Sequence, residues 1–596
     1  MAGQMKQIWK NLYCVQDSSN VFLIKQKDRA VLIDFGTGSV LECLEELGIS
    51  RVEAVFVTHH HRDQGEGLAL AVEAGIPILV PEAEQELFNN VSEMWQSREI
   101  YNNYNNRQDR FSILETVQTK VMKDYETYQY LGMEFHIIPT PGHTTGSVSV
   151  ETFMGGKKIA FTGDLVYAPG KVWSLAATQW SYNGGEGIPF TILSLLDLQE
   201  RGIQWLLPSH GKEMRTEDAV APTVKNLARL RELRKQNPKL FQLREKPYEQ
   251  ITEHVLFNRT SMANSYVLLS ESKKALLIDF GYDFMAGAAA GTDRSARRPW
   301  IYTIPSMMRQ FGVKSIDACI PTHYHDDHVA GINLLKRKYG TKVICPEAYA
   351  MILEHPDRYD LPCLWYDSIE VDRRVAYGVP FRWEEYEITG YPLSGHTRFS
   401  AAISFMADGE TFLCTGDQYA GDDGQMPNYV YKNMFAYEDF CVSAALYRNL
   451  NPDWILSGHW PKKKPDEEFY KTLEGKGREL RELHSLLLPM DGTQNPGNDF
   501  HAIFFPYQKE VKCGEEFMAE VHLLSEPEEG IRLELIPAEG FTCKENIHSF
   551  SLGERLHSFN IKASENPMRR ARIGCRMWSK GRCLGTQAEM LVTVRE

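Results

Sequence analysis

The sequence predicts an α/β protein made of two tandem copies of one domain, followed by a small all-β domain. Three observations carry this. Five short motifs recur in the same order in the two halves of the first 490 residues. Within each half, short β-branched runs alternate with amphipathic stretches. After Pro489 the helical pattern stops and period-two alternation takes over.

The repeat is explicit. Ala30–Gly36 (AVLIDFG) recurs as Ala275–Gly281 (ALLIDFG), and Thr58-His59-His60-His61-Arg62-Asp63-Gln64 recurs as Thr322-His323-Tyr324-His325-Asp326-Asp327-His328. Gly142-His143-Thr144 recurs as Gly395-His396-Thr397, and Thr162-Gly163-Asp164 as Thr415-Gly416-Asp417. Pro208-Ser209-His210-Gly211 is matched by Leu456-Ser457-Gly458-His459. His143 to Asp164 spans 21 residues, as does His396 to Asp417. Asp34 to His59 is 25 residues against 44 for Asp279 to His323, so the second copy carries an insert near 282–303. Its Ala, Gly and Arg content predicts a mobile surface loop.

The elements follow in order. Ala30–Phe35, Ala54–Val57, Phe135–Ile138, Val148–Thr152 and Ile159–Phe161 read as strands, because they are short, apolar and bounded by Gly, Pro or Asp. Leu68–Val72 and Ile332–Arg337 read as helices just after the His clusters. Thr216–Lys235 and Asp466–Leu488 read as amphipathic helices closing each copy. Gln236–Tyr248, with Pro238 and Pro247, reads as the linker. Phe517–Leu524, Ile531–Ile536, Leu556–Ile561, Ala571–Met577 and Ala588–Val594 read as strands of a β-sandwich. The expected domains are 1–245, 246–490 and 500–596.

Composition narrows the class. With 596 residues, 43% hydrophobic, the chain is neither fibrous, nor disordered, nor a small disulfide scaffold. The net charge of −14 argues against a general nucleic-acid binder. No apolar run approaches the roughly 18 residues of a membrane span, and the N-terminus has no signal-peptide pattern. The 11 cysteines are scattered without a CxxC pair, so reduced thiols are expected. These features together predict a soluble, cytoplasmic protein.

In the second copy, His323, His325, Asp327, His328, His396, Asp417 and His459 all follow strand-like runs. Imidazole and carboxylate are good ligands for a borderline cation such as Zn²⁺. Side chains at the ends of neighbouring strands can share one crevice. A single His beside a turn is an ordinary surface residue. Five His and two Asp, in an order that recurs in the other copy at all but one position, are not.

HxHxDH, GHT, TGD and SGH together resemble the metallo-β-lactamase-fold superfamily of hydrolases, over about 490 residues. The resemblance implies two αββα sandwiches. It implies that His323, His325 and His396 hold one metal, that Asp327, His328 and His459 hold a second, and that Asp417 bridges them. Two Zn²⁺ are expected there, with Fe or Mn as alternatives. Two divalent cations lower the pKa of a shared water towards about 7, which makes hydroxide available for hydrolysis. Asp327 is the candidate catalytic residue, orienting the nucleophile or passing a proton.

The first copy keeps His59, His61, Asp63, His143, Asp164 and His210, but Gln64 stands where His328 does. A neutral amide is a weaker zinc ligand. One or two metals are expected there, against a degenerate, structural copy. Aromatic segments after the bridging Asp residues offer substrate contacts, with Tyr431 and Lys432 as the candidates in the second copy and core packing as the bland alternative. Glu99–Arg110 reads as a lid or as a solvated helix.

The expected activity is hydrolysis of a small ester, thioester, lactone or amide. The alternatives are a phosphodiesterase or ribonuclease of the tRNA 3′-processing type, an iron enzyme resembling persulfide dioxygenases, and a non-catalytic metal-binding scaffold. The expected partner is a small-molecule substrate, with no membrane and no nucleic acid. By analogy the two copies could form an internal pseudo-dimer.

Overall fold

The computed structural model describes residues 4–102, 104, 111–289, 291–434, 436–488, 501–524, 530–549, 551, 553–579 and 581–596. The expected lid, 99–110, therefore lies mostly outside the described residues. The chain divides into two compact units. One comprises Met1–Pro247, Tyr282–Phe311 and Leu334–Gly340. The other comprises Tyr248–Gly281, Gly312–Asn333 and Thr341–Glu596.

In the first unit a seven-stranded sheet runs in chain order from Gln4–Trp9 through Leu12–Gln16, Asn20–Gln26, Arg29–Ile33, Arg51–Phe56 and Ile78–Pro81 to Lys120–Met122. Its last four strands are parallel neighbours. A six-stranded sheet holds Thr127–Tyr130, Met133–Pro139, Val148–Met154, Lys157–Gly163, Trp205–Pro208 and Met214–Arg215.

Strand residues alternate between faces, which explains why these runs are apolar throughout. Val31 and Ile33 face the second sheet and pack with Phe135, Ile137, Val150 and Phe161. Ala30 and Leu32 face the other way, towards Leu68, Ala71, Phe88 and Val91 of the helical layer. On the far face of the second sheet, Ala160 and Leu206 pack on Leu195 and Leu198 of helix Gly187–Glu200 and on Val220 of helix Thr216–Leu233. The order of layers is αββα.

The second unit repeats the plan. Its seven-stranded sheet runs from Tyr248–Gln250 to Arg373–Val375. Its five-stranded sheet holds Phe381–Trp383, Tyr386–Pro392, Ala401–Ala407, Glu410–Gly416 and Trp454–Ser457. Helices Asp439–Leu450 and Glu467–Leu487 cover the latter through Phe440, Tyr447, Phe469 and Leu473. Asp466 caps the second of these helices, accepting a hydrogen bond from Phe469 N at 2.8 Å.

The same unit ends in a β-sandwich. One sheet holds Ala502–Phe505, Glu516–Leu523, Leu556–Lys562 and Thr542–Cys543. The other holds Gln508–Lys512, Arg582–Arg595, Met568–Ser579, Arg532–Ile536 and Ile547–Ser549. Val521, Leu533, Phe559, Ile573 and Val592 fill the space between them.

The stretch read as the linker contains helix Leu240–Glu245, whose Leu240 is fully buried. One expectation is corrected. The insert is not a loose loop. Met285, Ala286, Trp300 and Tyr302 are buried with Ile188, Ile192 and Leu227 in the core of the first unit. Its small and charged residues dominate the composition and mask these few anchors. All 11 cysteines are free thiols. Among the described residues no helix is long and apolar enough to cross a membrane.

Candidate metal centre

In the second unit, strand Ser315–Ile320 ends in Pro321 and Thr322, and His323 and His325 follow in extended backbone before helix Asp326–Val329. Strand Glu410–Gly416 delivers Asp417. Its parallel neighbour Trp454–Ser457 delivers Gly458 and His459, so the two side chains emerge next to each other. Gly458 is required here, because a Cβ would lie 2.0 Å from Asp417 Oδ1.

The structure brings all seven predicted residues of this copy together. His323, His325 and His396 form one cluster, and Asp327, His328, Asp417 and His459 another, each with ligand atoms within 4.8 Å of one another. His396 Nε2 is 3.2 Å from His325 Nδ1. Asp417 stands between the clusters: Oδ2 is 3.5 Å from His396 Nε2 and 3.2 Å from His459 Nε2, and Oδ1 is 3.3 Å from His328 Nε2. His459 Nε2 is also 3.0 Å from Asp327 Oδ2.

The residues fit a divalent cation. Thr322 Oγ1 lies 3.1 Å from His323 Nδ1, leaving His323 Nε2 as a fully buried nitrogen with no hydrogen-bond partner. Such an atom is costly without a ligand. Burial drives the His323, His325 and His396 imidazoles towards the neutral, metal-binding form, His325 down to about 3. The other cluster behaves oppositely. Burial disfavours the charged ring of His459, but hydrogen bonds to Asp327 and Asp417 raise it to about 10. Burial is likewise outweighed at His328, where Asp417 and Asp279 hold the ring protonated well above its usual range. Without a cation, protons supply the positive charge these carboxylates require.

In the first unit, His59, His61 and His143 cluster, as do Asp63, Asp164 and His210. His143 Nε2 lies 3.0 Å from His61 Nδ1 and 3.4 Å from Asp164 Oδ2. His59 Nε2 is buried without a hydrogen-bond partner. His210 presents Nδ1 to Asp164 Oδ1 at 2.7 Å, while its Nε2 lies 3.4 Å from Asp63 Oδ2. Trp173 stacks on the His210 ring at 3.9 Å. His60 is no part of the cluster; its Nδ1 meets buried Glu84 Oε2 at 3.1 Å.

Gln64 has a measurable consequence. In the second unit Asp279 Oδ2 accepts from His328 Nδ1 at 2.9 Å. In the first, the corresponding Asp34 has no imidazole partner among the described residues. It is held instead by Thr58 N at 2.7 Å and Ser209 Oγ at 2.5 Å, and burial pushes its carboxyl up to about 7.

The Tyr431 hydroxyl is 3.1 Å from His484 Nε2 and its ring stacks on Tyr429, while Lys432 is exposed. The next residue, Asn433, is buried, lies 2.9 Å from His325 Nε2, and accepts from the Tyr324 hydroxyl. Sequence reading missed Asn433 and Asp279 as supports. Asp279 was visible only as part of the recurring LIDFG run, and Asn433 only as part of the segment after Asp417 read as a possible pocket lining.

A third cluster, His548, Glu554 and His557, lies in the β-sandwich. Its imidazoles stack 3.5 Å apart and 14° from parallel, so their in-plane lone pairs run side by side and do not converge.

Two αββα units with His and Asp clusters at strand ends define the class. The chain belongs to the metallo-beta-lactamase superfamily, whose family model matches residues 15–211 and again 259–418, more than half of its length. It is thereby a metal-dependent hydrolase. A probable metallo-hydrolase of Methanocaldococcus jannaschii is 29% identical over 203 residues, covering 33% of this chain and 88% of the relative. Among solved structures, a Cronobacter sakazakii metallo-beta-lactamase with a HARLDQ motif is 19% identical with a TM-score of 0.31, covering 41% of this chain and 98% of its own. A metallo-beta-lactamase family protein of Thermus thermophilus is 16% identical with a TM-score of 0.30, covering 41% of this chain and 86% of its own.

Proposed function

We propose that the second copy is a dinuclear zinc centre that hydrolyses a small ester, thioester, lactone or amide. The observation that carries this is the position of Asp417, whose carboxylate reaches both the His396 side and the His328–His459 side. His323, His325 and His396 would hold one cation. Asp327, His328 and His459 would hold the other, with Asp417 shared. A pair of bound divalent cations supplies water acidified towards neutral pH and polarisation of the substrate oxygen.

The protein's own groups then have distinct tasks. Asp279 fixes the His328 ring so that Nδ1 donates and Nε2 faces the site. Asn433 Nδ2 contacts His325 Nε2 at 2.9 Å, on the ring edge away from Nδ1, the nitrogen that faces His396. Asp327 Oδ2, partly exposed and 3.0 Å from His459 Nε2, is placed to take the proton of the attacking water and deliver it to the leaving group. The first copy is proposed as a second metal centre of altered reactivity, since it lacks the imidazole that Gln64 replaces.

The test pairs elemental analysis of the full chain with a panel of chromogenic ester, thioester, lactone, amide and phosphodiester substrates. Two or more zinc per chain and turnover of a carbonyl substrate are expected, with His323→Ala and Asp417→Ala each lowering turnover at least 10³-fold, on the order of 4 kcal/mol of barrier. Iron with no hydrolysis, turnover of the phosphodiester alone, or full activity in the Asp417→Ala chain would overturn it.

A further inference from the structure

The loops that carry His143 and His396 are the same structure built twice. In one, Ser147 Oγ donates to Thr140 O at 2.8 Å and Thr144 O at 3.2 Å. In the other, Ser400 Oγ donates to Leu393 O at 2.7 Å and Thr397 O at 2.9 Å. Thr140 N closes on Ser147 O, and Leu393 N on Ser400 O, both at 3.1 Å. The two loops differ in what holds their outer carbonyls. In the second unit the Tyr377 hydroxyl donates to Ser400 O at 2.9 Å. In the first unit the donor comes from outside the first copy. Arg298, from the insert of the second repeat, donates from Nη1 to Ser147 O at 2.9 Å and to Thr145 O at 3.1 Å.

Arg298 is itself held. Its Nε and Nη2 donate to the two oxygens of Asp124 at 2.8 and 2.6 Å, and the Arg and Asp side chains are only 7% and 10% exposed. A planar guanidinium can make this two-sided contact, with a fork on the carboxylate and a third nitrogen on two carbonyls; an ammonium cannot. The segment bringing Arg298 there is anchored by Met285, Ala286, Trp300 and Tyr302 in the core of the first unit. On its other side the loop is tied to Glu84, which accepts from Thr144 Oγ1 at 2.5 Å and Gly146 N at 3.1 Å.

We infer that Arg298 is a positioning residue for His143: the insert of the second repeat completes the metal centre of the first. This rests on the reading of the first copy as a metal centre. The insert is then a structural strap, and the first copy's His143 loop depends on chain lying outside that copy.

The experiment uses the full chain with His323→Ala and Asp417→Ala as background, so that zinc bound tightly reports on the first copy, and measures zinc affinity by chelator competition. A parallel series with the second copy intact serves as the internal control. In the background, His143→Ala should abolish tight binding; if it does not, the first-copy reading fails whatever Arg298 does. Given that loss, Arg298→Met should weaken zinc binding about 10- to 100-fold, the usual range for a group that orients a ligand, while affinity at the second copy stays the same. Should Arg298→Met strand Asp124 and prevent folding, the paired Asp124→Asn/Arg298→Met removes both charges, and Arg298→Lys keeps both charges while removing the guanidinium fork. Unchanged first-copy affinity in the folded variants, or equal weakening of both copies, would overturn the inference.

Discussion

Replacing Asp279 by Asn removes the charge that orients His328 without altering any residue proposed to bind metal. Three donors converge on this carboxylate: Thr322 N at 2.6 Å on Oδ1, and Thr322 Oγ1 at 2.8 Å and His328 Nδ1 at 2.9 Å on Oδ2. Asn has one acceptor oxygen and must turn its NH₂ towards the other donors, so His328 or Thr322 loses its partner. The backbone tolerates the change, because position 279 sits at φ +60° and Asn is among the residues that adopt that region readily. Partners of this kind typically account for 10- to 100-fold in metal affinity, about 1.4–2.8 kcal/mol. Zinc affinity of the second copy in the full-length Asp279→Asn chain should fall within that range. Chelator competition measures it, and the first copy serves as reference. An affinity within two-fold of the parent, in a chain where His328→Ala abolishes the second metal, would refute the orienting role.

Three further outcomes follow from the geometry. Gln64→His supplies the first copy with the imidazole Asp34 lacks, and elemental analysis should show up to one additional metal per chain; unchanged content together with a silent His59→Ala would make that copy structural. Metal release on acidification should occur in two stages. His459, raised to about 10, and His328, raised well above its usual range, must each lose a proton to bind, so affinity at that cluster rises with pH, by about two decades per unit below both values. His323, His325 and His396 are already neutral at pH 7, so their cluster retains metal to lower pH; simultaneous release from both clusters would contradict this. In metal-free protein, the depressed pKa values of His59, His61 and His143 mean that the unfolded chain binds more protons below about 6.5, so their contribution to stability is present above that pH and lost as pH falls. Melting temperature against pH, compared with His59→Ala, measures it.

The candidate ligands were legible in the sequence. His323, His325, Asp327, His396, Asp417 and His459 each follow a strand or a tight turn, features written in local pattern, and the second copy of the pattern inside one chain removed the ambiguity of any single His. The terminal sandwich was legible for the same reason, since period two is local. The tertiary structure alone decided which groups hold those ligands in place. Asp279 reaches His328 across 49 residues, Asn433 reaches His325 across 108, and Arg298 reaches Ser147 across 151. No periodicity or spacing rule connects such pairs, because a supporting hydrogen bond needs only a donor and an acceptor brought together by packing. The insert shows the same division. Its composition of small and charged residues describes a loop, while its place in the fold is set by a few buried side chains, Trp300 and Tyr302 among them, whose partners lie about a hundred residues earlier in the chain.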